Sequence, residues 1–363
     1  MSSSKPPTIR DVAQSAGLSV ATVSRYLNKQ LRLPPATANK VDDAVGKLSF
    51  RPNAIARRLS RGTSETLGFI TSDIAHPFFA AIASAAEAEA IKLGYTLAMF
   101  NTRNQIAQEL NFLSRIDDQQ VDGVLFLTNH PDDGTLRDKI AAARHVVILD
   151  EDVAGTEVPK VFADSEGGAR IATRHLIGAG HRVIGFISGP RTLRSSRERY
   201  RGFTAEMRQA GLEIDPGIVL FGQFEEEFGF RAFASLWNRS KPPTAVFAAA
   251  DMLAVGLLRA ARARGVAVPA ELSLVGFADM LHVDMFDPPL TTVRQSTEQF
   301  GRRGVQLLVA LIRGELTERS IDRVPVELIV RGSVGAPRAN APVRLRKENK
   351  DTPSARPNVR PEV

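Results

Sequence analysis

Side chains suited to contacting duplex DNA are concentrated near the start of the chain, in the stretch 8–28, TIRDVAQSAGLSVATVSRYLN. Arg25 carries a guanidinium, which can pair with guanine O6 and N7. Val20 and Ala21 are small and apolar, and so could contact a thymine methyl group. Hydroxyl, amide and guanidinium groups that suit phosphate oxygens surround them: Thr8, Ser19, Thr22, Ser24, Asn28 and Arg32. These residue types predict sequence-specific binding to DNA.

Two short helices and a tight turn would position these groups. Thr8 is a suitable N-cap, with Asp11 as the acidic half of a capping box. Gly17 can end the first helix, and Ser19 can cap the second. Pairs one turn apart would face inward: Val12 with Ala16, and Val23 with Leu27. The pattern predicts a helix-turn-helix, which lays its second helix in the major groove. Two ordinary core helices joined by a glycine are the alternative.

The wording of this stretch, T-I-x-D-V-A-x-x-A-G-x-S-x-x-T-V-S-R-x-L-N, resembles the DNA-binding headpiece of the LacI/GalR family of repressors. Tyr26 departs from the family, which usually has a small aliphatic residue there. The resemblance implies a ligand-controlled transcription regulator, which is most often a repressor released from DNA by an inducer.

Residues 51–62, RPNAIARRLSRG, contain a short segment that could form a helix over about 53–59. So short a helix is marginal alone, because nucleation is costly. The resemblance implies a hinge helix that orders on the operator and inserts Leu59 into the minor groove, with Asn53 and Ala56 as further DNA contacts. A core leucine is the alternative, but Arg57 and Arg58 beside it do not suit a core.

Charge is spread unevenly along the 363 residues, whose net charge is +7. Residues 1–62 contain eleven Lys/Arg and three Asp, and the part after residue 335 contains seven basic and three acidic residues. A basic head on an acidic body fits a protein that places one face on phosphates. The chain has no cysteine, no membrane-length apolar run and no secretory signal, which predicts a cytoplasmic protein without disulfides.

From Thr66 onward, short apolar strands alternate twice over with helices. This alternation predicts two doubly wound α/β lobes whose ligand lies beyond the carboxyl ends of the strands. The region resembles the family's effector domain, shaped like periplasmic sugar-binding proteins, at Gly180-His181-Arg182, Pro243–Phe247 and Pro288–Val293. The fold class is therefore α/β, with an N-terminal all-α helix-turn-helix headpiece and a two-lobed effector domain that resembles periplasmic-binding proteins.

The expected domains follow from this division. Residues 8–62 form the headpiece and hinge, residues 63–335 form the effector and dimerisation domain, and residues 336–363 form a disordered tail. Lobe one comprises about 63–162 and 292–322, and lobe two about 163–291 and 323–335. The tail has no leucine heptads, so a homodimer is expected on a pseudo-palindromic operator.

The resemblance implies an effector site between the lobes. Arg199 matches the ligand-anchoring arginine, and Arg194, Ser195 and Arg197 are expected in the loop beside it. Further positions match the walls and the interface of the family's pocket: Phe78, Phe79, Phe224, Asp150 and Gln295. Two polar positions of the family are alanines here, Ala250 and Ala278, with Asp279 following the latter. The guanidinium of arginine suits carboxylate and phosphate groups, and the two alanines remove side chains that could bind hydroxyls. Together these features predict an anionic effector, a sugar acid or sugar phosphate. Arg194 and Arg197 facing solvent is the alternative.

Motifs for catalysis are missing from the sequence. It contains no HExxH, no GxxxxGKS, no GxSxG, and no GxGxxG after a strand. No cofactor, metal or enzymatic activity is therefore expected. A small-molecule-binding protein or carbohydrate-handling enzyme with a basic head is the alternative function.

Overall fold

The computed structural model describes residues 7–28, 31–50, 63–130, 133–316 and 320–338. The predicted hinge residues Asn53, Ala56 and Leu59 lie outside the described residues, as does most of the predicted tail. Within the described ranges, no helix is both long and apolar enough to cross a membrane.

The headpiece consists of three helices: α1 (Ile9–Ala16), α2 (Val20–Leu27) and α3 (Pro35–Lys47). Their apolar faces meet in a small core that includes the fully buried side chains of Val12, Val23 and Val41. Gly17 ends α1 with φ of 65°, a conformation that costs glycine little. The predicted helix-turn-helix is confirmed.

The rest of the chain contains two six-stranded sheets, each covered by helices. The elements of the first lobe, in chain order, are β1 (Thr66–Thr71), α4 (Pro77–Lys92), β2 (Thr96–Asn101), α5 (Ile106–Asp117), β3 (Gly123–Phe126), α6 (Thr135–Ala142), β4 (Val146–Leu149) and β5 (Lys160–Ala163). Those of the second lobe are α7 (Ser165–Gly178), β6 (Ile184–Ser188), α8 (Arg194–Gln209), β7 (Val219–Phe221), α9 (Glu226–Trp237), β8 (Ala245–Ala248), α10 (Asp251–Ala263), β9 (Ser273–Ala278) and β10 (Thr291–Gln295). The chain then adds α11 (Thr297–Ile312), β11 (Ile321–Val324) and β12 (Val326–Ile329).

The two sheets have the same strand order. It is β2-β1-β3-β4-β5-β11 in the first lobe and β7-β6-β8-β9-β10-β12 in the second. All neighbours are parallel except β12, which runs antiparallel to β10. The central strands are buried on both faces, which explains their continuous apolar runs. In such sheets the strand order reverses between the first and third strands, and ligands bind beside that point.

Two details differ from the sequence expectations. The strand β5 was not predicted, because its four residues begin with Lys160 and follow a long irregular segment. The positions at which the chain passes from one lobe to the other also lie later in the sequence than expected. β10 belongs to the second sheet, so residues 292–295 are part of lobe two, and β11 belongs to the first sheet, so residues 323–324 are part of lobe one.

Candidate functional site

The amino end of α2 forms the exposed surface of the headpiece. Ser19 caps the helix by accepting a hydrogen bond from the Thr22 backbone N–H at 3.1 Å. Val20 is 41% exposed, and Ala21 and Arg25 are also exposed. The free amides and the helix dipole at this end favour phosphate. Apolar and guanidinium groups that could contact bases therefore stand beside a site for the DNA backbone.

The other described residues that were predicted to contact DNA lie elsewhere on the headpiece. Thr8 donates from its backbone N–H and its hydroxyl to Asp11, at 2.7 and 2.8 Å, so it serves as the cap of α1. Arg32 is exposed, and Ser24 and Asn28 are half-buried on α2. The unusual Tyr26 donates its hydroxyl to Asp42 of α3 at 3.0 Å, and so fixes α2 against α3.

A cleft between the lobes holds most of the predicted effector residues. An inner cavity of about 70 Å³ adjoins an outer one of about 390 Å³. The inner cavity is lined by seven predicted residues: Phe78, Phe79, Asp150, Ser195, Arg199, Phe224 and Gln295. They follow the carboxyl ends of strands in both sheets, which is where this fold binds ligands.

Arg199 is the buried cation of the cleft. Its Nη1 donates to the Ala249 carbonyl at 2.7 Å and its Nη2 to Gln295 Oε1 at 3.2 Å. The guanidinium carbon lies 3.9 Å from the ring centre of Phe277. Its Nε has no hydrogen-bond partner among the described residues, although it is buried. An acceptor on a bound molecule would satisfy this donor.

Two predicted residues do not line the inner cavity. Arg194 forms an ion pair with Glu198 at 2.7 Å and stacks at 3.8 Å over the ring of Phe162. Asp279 forms ion pairs with Arg294 and Arg331, both at 2.7 Å. Arg197, counted as a neighbour of Arg199 in sequence, is exposed and donates to the Thr192 carbonyl.

Acidic residues that the sequence reasoning did not select also line the cleft. Glu151 directly follows Asp150, and the pair stands at the end of β4. Burial, and then the charge of Asp150, raise the pKa of Glu151 to about 7. Burial raises the pKa of Asp150 as well, against the opposing charge of Arg199. The position at a strand end was a signal that could have identified Glu151.

Asp251, at the start of α10, is fully buried and holds the loop after β9. One carboxylate oxygen accepts from the Thr292 hydroxyl at 2.6 Å, and the other from the Met280 N–H at 2.8 Å. Burial raises its pKa to about 6. In that loop Ala278 has φ of 131°, which is strained for alanine. Unusual backbone of this kind is common where a loop shapes a ligand site.

Within the part of the chain that the structure describes, no group of three His, Cys, Asp or Glu side chains could hold a metal ion. The carboxyl groups of Glu151 and Asp251 in the cleft accept hydrogen bonds from hydroxyls and backbone N–H groups.

Comparisons with known proteins identify the family of both parts of the chain. Residues 8–53 match the family described as bacterial regulatory proteins, lacI family, and residues 173–334 match the periplasmic binding protein-like domain. The HTH-type transcriptional repressor PurR of Pasteurella multocida is 34% identical over 330 residues, covering 90% of this chain and 98% of the relative. The repressor CytR of Escherichia coli is 33% identical over 330 residues, covering 91% and 96%.

Solved structures show the same architecture. The lac repressor dimer bound to operator and the anti-inducer ONPF has a TM-score of 0.80 at 28% identity, covering 92% of this chain and all of that one. The complex of the regulator CelR with cellobiose has a TM-score of 0.69 at 33% identity, covering 90% and 99%.

Proposed function

Because this chain belongs to the LacI family of bacterial regulatory proteins, we propose that it is a transcriptional repressor controlled by a small molecule bound between its lobes. One combination carries this proposal: an exposed α2 end on a helix-turn-helix, joined to a body with a cleft at the strand ends. Relatives named as repressors support it, and so does the likeness to a repressor dimer on its operator. Such a protein acts on DNA in the cytoplasm.

The DNA site would be a pseudo-palindrome read by two headpieces of a homodimer. Arg25 is the proposed base contact, because it is exposed and its guanidinium can bond guanine at two atoms. Ser19 and Thr22 are proposed to position the helix on phosphates through the amino end of α2. The half-sites would lie about one helical turn apart.

The effector is proposed to be an uncharged, hydroxyl-rich molecule. The sequence favoured a sugar acid or sugar phosphate because several arginines were expected in the pocket. In the cleft, however, Arg199 lies near Asp150 and Glu151. Burial lowers the pKa of Arg199, and the negative charges of these two residues raise it. Each of these two groups would repel an added anion whenever it is ionised. A hydroxyl group can donate to Asp150 and accept from the Arg199 Nε, so carbohydrate hydroxyls suit both.

Two experiments test these proposals. Selection of duplexes from a random pool by the purified protein, followed by footprinting, should yield one pseudo-palindromic site. Calorimetric titration with matched pairs, such as glucose with gluconate and cellobiose with cellobionate, should give binding only for neutral members. Operator binding measured with the active sugar should weaken if it is an inducer. Binding of the acids alone would support an anionic effector instead of a neutral one. Failure to select any DNA site would refute the proposed repressor function.

A further inference from the structure

The amino end of α8 lacks a cap from its own segment. Its N-cap residue is Leu193, whose side chain cannot accept a hydrogen bond, so the first amides of this helix need an acceptor from elsewhere. Glu151 of lobe one supplies it. Its carboxylate accepts from the Ser195 backbone N–H at 3.2 Å and also from the Ser195 hydroxyl. Ser195 is 3% exposed and Glu151 is 2% exposed, so this contact is buried.

Other contacts join the same turn of α8 to lobe one. The Arg194 guanidinium lies over the ring of Phe162, which is in β5 of the first sheet. Glu198 lies 3.8 Å from Arg323, which is in β11 of the first sheet. The first turns of α8 therefore dock on lobe one by a helix cap, a cation–π contact and an ion pair.

A helix amino end is a natural place for an anion, since its free amides and dipole point outward. We infer that Glu151 is a built-in hydrogen-bond acceptor for α8, which occupies this site from the opposite lobe and thereby latches the two lobes together. The latch concerns the same cleft as the proposed effector site, but its test uses no effector, so either proposal can fail without the other. Separation of the lobes would leave the first amides of α8 without their acceptor.

Charged side chains of both lobes lie near Glu151. Asp150 precedes it on the same strand end and opposes its ionisation, whereas Arg199, on α8, favours it. Burial lowers the pKa of Arg194, which is also on α8, and the charges of Glu151 and Asp152 are among those that raise it. The carboxylate thus faces the cationic side chains of α8 as well as its amides. Burial opposes its ionisation and raises its pKa to about 7, so the latch rests on the hydrogen bonds that its oxygens accept from Ser195 and not on its charge.

Substitution of Glu151 tests the latch, with a carboxylate of matched geometry as the control. Asp133 accepts from the backbone N–H and the hydroxyl of Thr135, at 3.0 and 2.6 Å, but does so within lobe one. The chain has no cysteine, so spin labels can be attached cleanly at Gln105→Cys in lobe one and Gln223→Cys in lobe two. Their separation is measured by pulsed electron resonance in wild type, Glu151→Ala, Glu151→Gln and Asp133→Ala.

Glu151→Ala is expected to lengthen and broaden the distance distribution and to lower the unfolding midpoint by about 2–4 °C. Formate or acetate should restore both, because either fits the vacated anion site, whereas chloride at equal ionic strength should not. Glu151→Gln should lie between wild type and the alanine variant, and it decides the matter if the alanine variant does not fold. Asp133→Ala should leave the distance unchanged.

Three outcomes would overturn the inference. They are an unchanged distance in Glu151→Ala, an equal lengthening in Asp133→Ala, and a lengthening that formate fails to reverse.

Discussion

A buried carboxyl group in lobe one gives a prediction on stability and pH. Glu109 lies on α5 with none of its surface exposed, and both of its carboxylate oxygens are 3.1 Å from the Thr128 hydroxyl. Burial raises its pKa from 4.5 to about 7, against the smaller effect of that hydrogen bond. Through proton linkage, a shift of this size corresponds to a penalty on the order of 3 kcal/mol once the group is ionised.

The sign follows from where each state loses its proton. The unfolded chain releases the proton of Glu109 near its ordinary pKa of 4.5, and the folded protein releases it near about 7. Between these values the folded state binds more protons, so the free energy of unfolding falls as pH rises through this window. Above about pH 7 the loss is complete. Glu109→Gln keeps an oxygen near Thr128 but cannot ionise, so it removes the penalty.

Urea unfolding of wild type and Glu109→Gln at about pH 5 and about pH 8 measures this effect. The variant should be more stable than wild type at the higher pH, by as much as about 3 kcal/mol, with little advantage at the lower pH. The raised pKa values of Glu151 and Asp251 also make the free energy of unfolding fall as pH rises. Both residues are present in wild type and in the variant, so their effect cancels when the two proteins are compared. Glu87→Gln, at an exposed position of α4, is the control and should show no such dependence. An advantage of equal size at both pH values would refute the reasoning.

Three further predictions concern the headpiece, the hinge and lobe two. Arg25→Ala should weaken binding to the selected operator by about 1–3 kcal/mol and relax one base position, as measured by competition with single-base variants; equal weakening on random duplex would exclude a reading role. Leu59→Ala should abolish operator bending and lower specific far more than random binding, as measured by gel mobility of permuted fragments; unchanged bending would count against insertion. Gly256→Ala should destabilise the protein by about 1–3 kcal/mol in urea, because a Cβ there would overlap the Glu226 carbonyl of α9. Gly46→Ala, with nothing within 4 Å of the added Cβ, is its control and should not destabilise.

The headpiece was predictable because its signals are local. Thr8, Gly17 and Ser19 form hydrogen bonds with groups within four residues of themselves, so their types and spacing fix the helix ends. The α/β class was predictable for a similar reason, since buried parallel strands require continuous apolar runs. β5 gave no such signal, because Lys160 begins it and its amine pairs with Asp152 at 2.6 Å instead of facing solvent. The points where the chain changes lobe depend on pairing between distant strands, which no local pattern encodes.

The arginines of α8 show what spacing along a helix leaves undecided. Arg194, Arg197 and Arg199 are close in sequence, yet only Arg199 enters the inner cavity. Arg197 donates to a carbonyl of the loop that precedes α8. Arg194 stacks over Phe162 and forms an ion pair with Glu198. Each orientation is decided by partners contributed from elsewhere in the fold. A count of cations near the ligand site therefore could not be read from the sequence alone.

The charge expected of the effector changes for the same reason. An arginine beside a helix amino end predicts an anion only while that end is free. Glu151 comes from the other lobe, more than forty residues earlier in the chain, and it accepts from the Ser195 N–H at the amino end of α8. An effector of the proposed kind leaves the α8 amides to Glu151 and bonds Arg199 and Asp150 through uncharged hydroxyl groups. An anion at the amino end of α8 would compete with Glu151 for these amides. In the proposed latch, such competition would favour separation of the lobes.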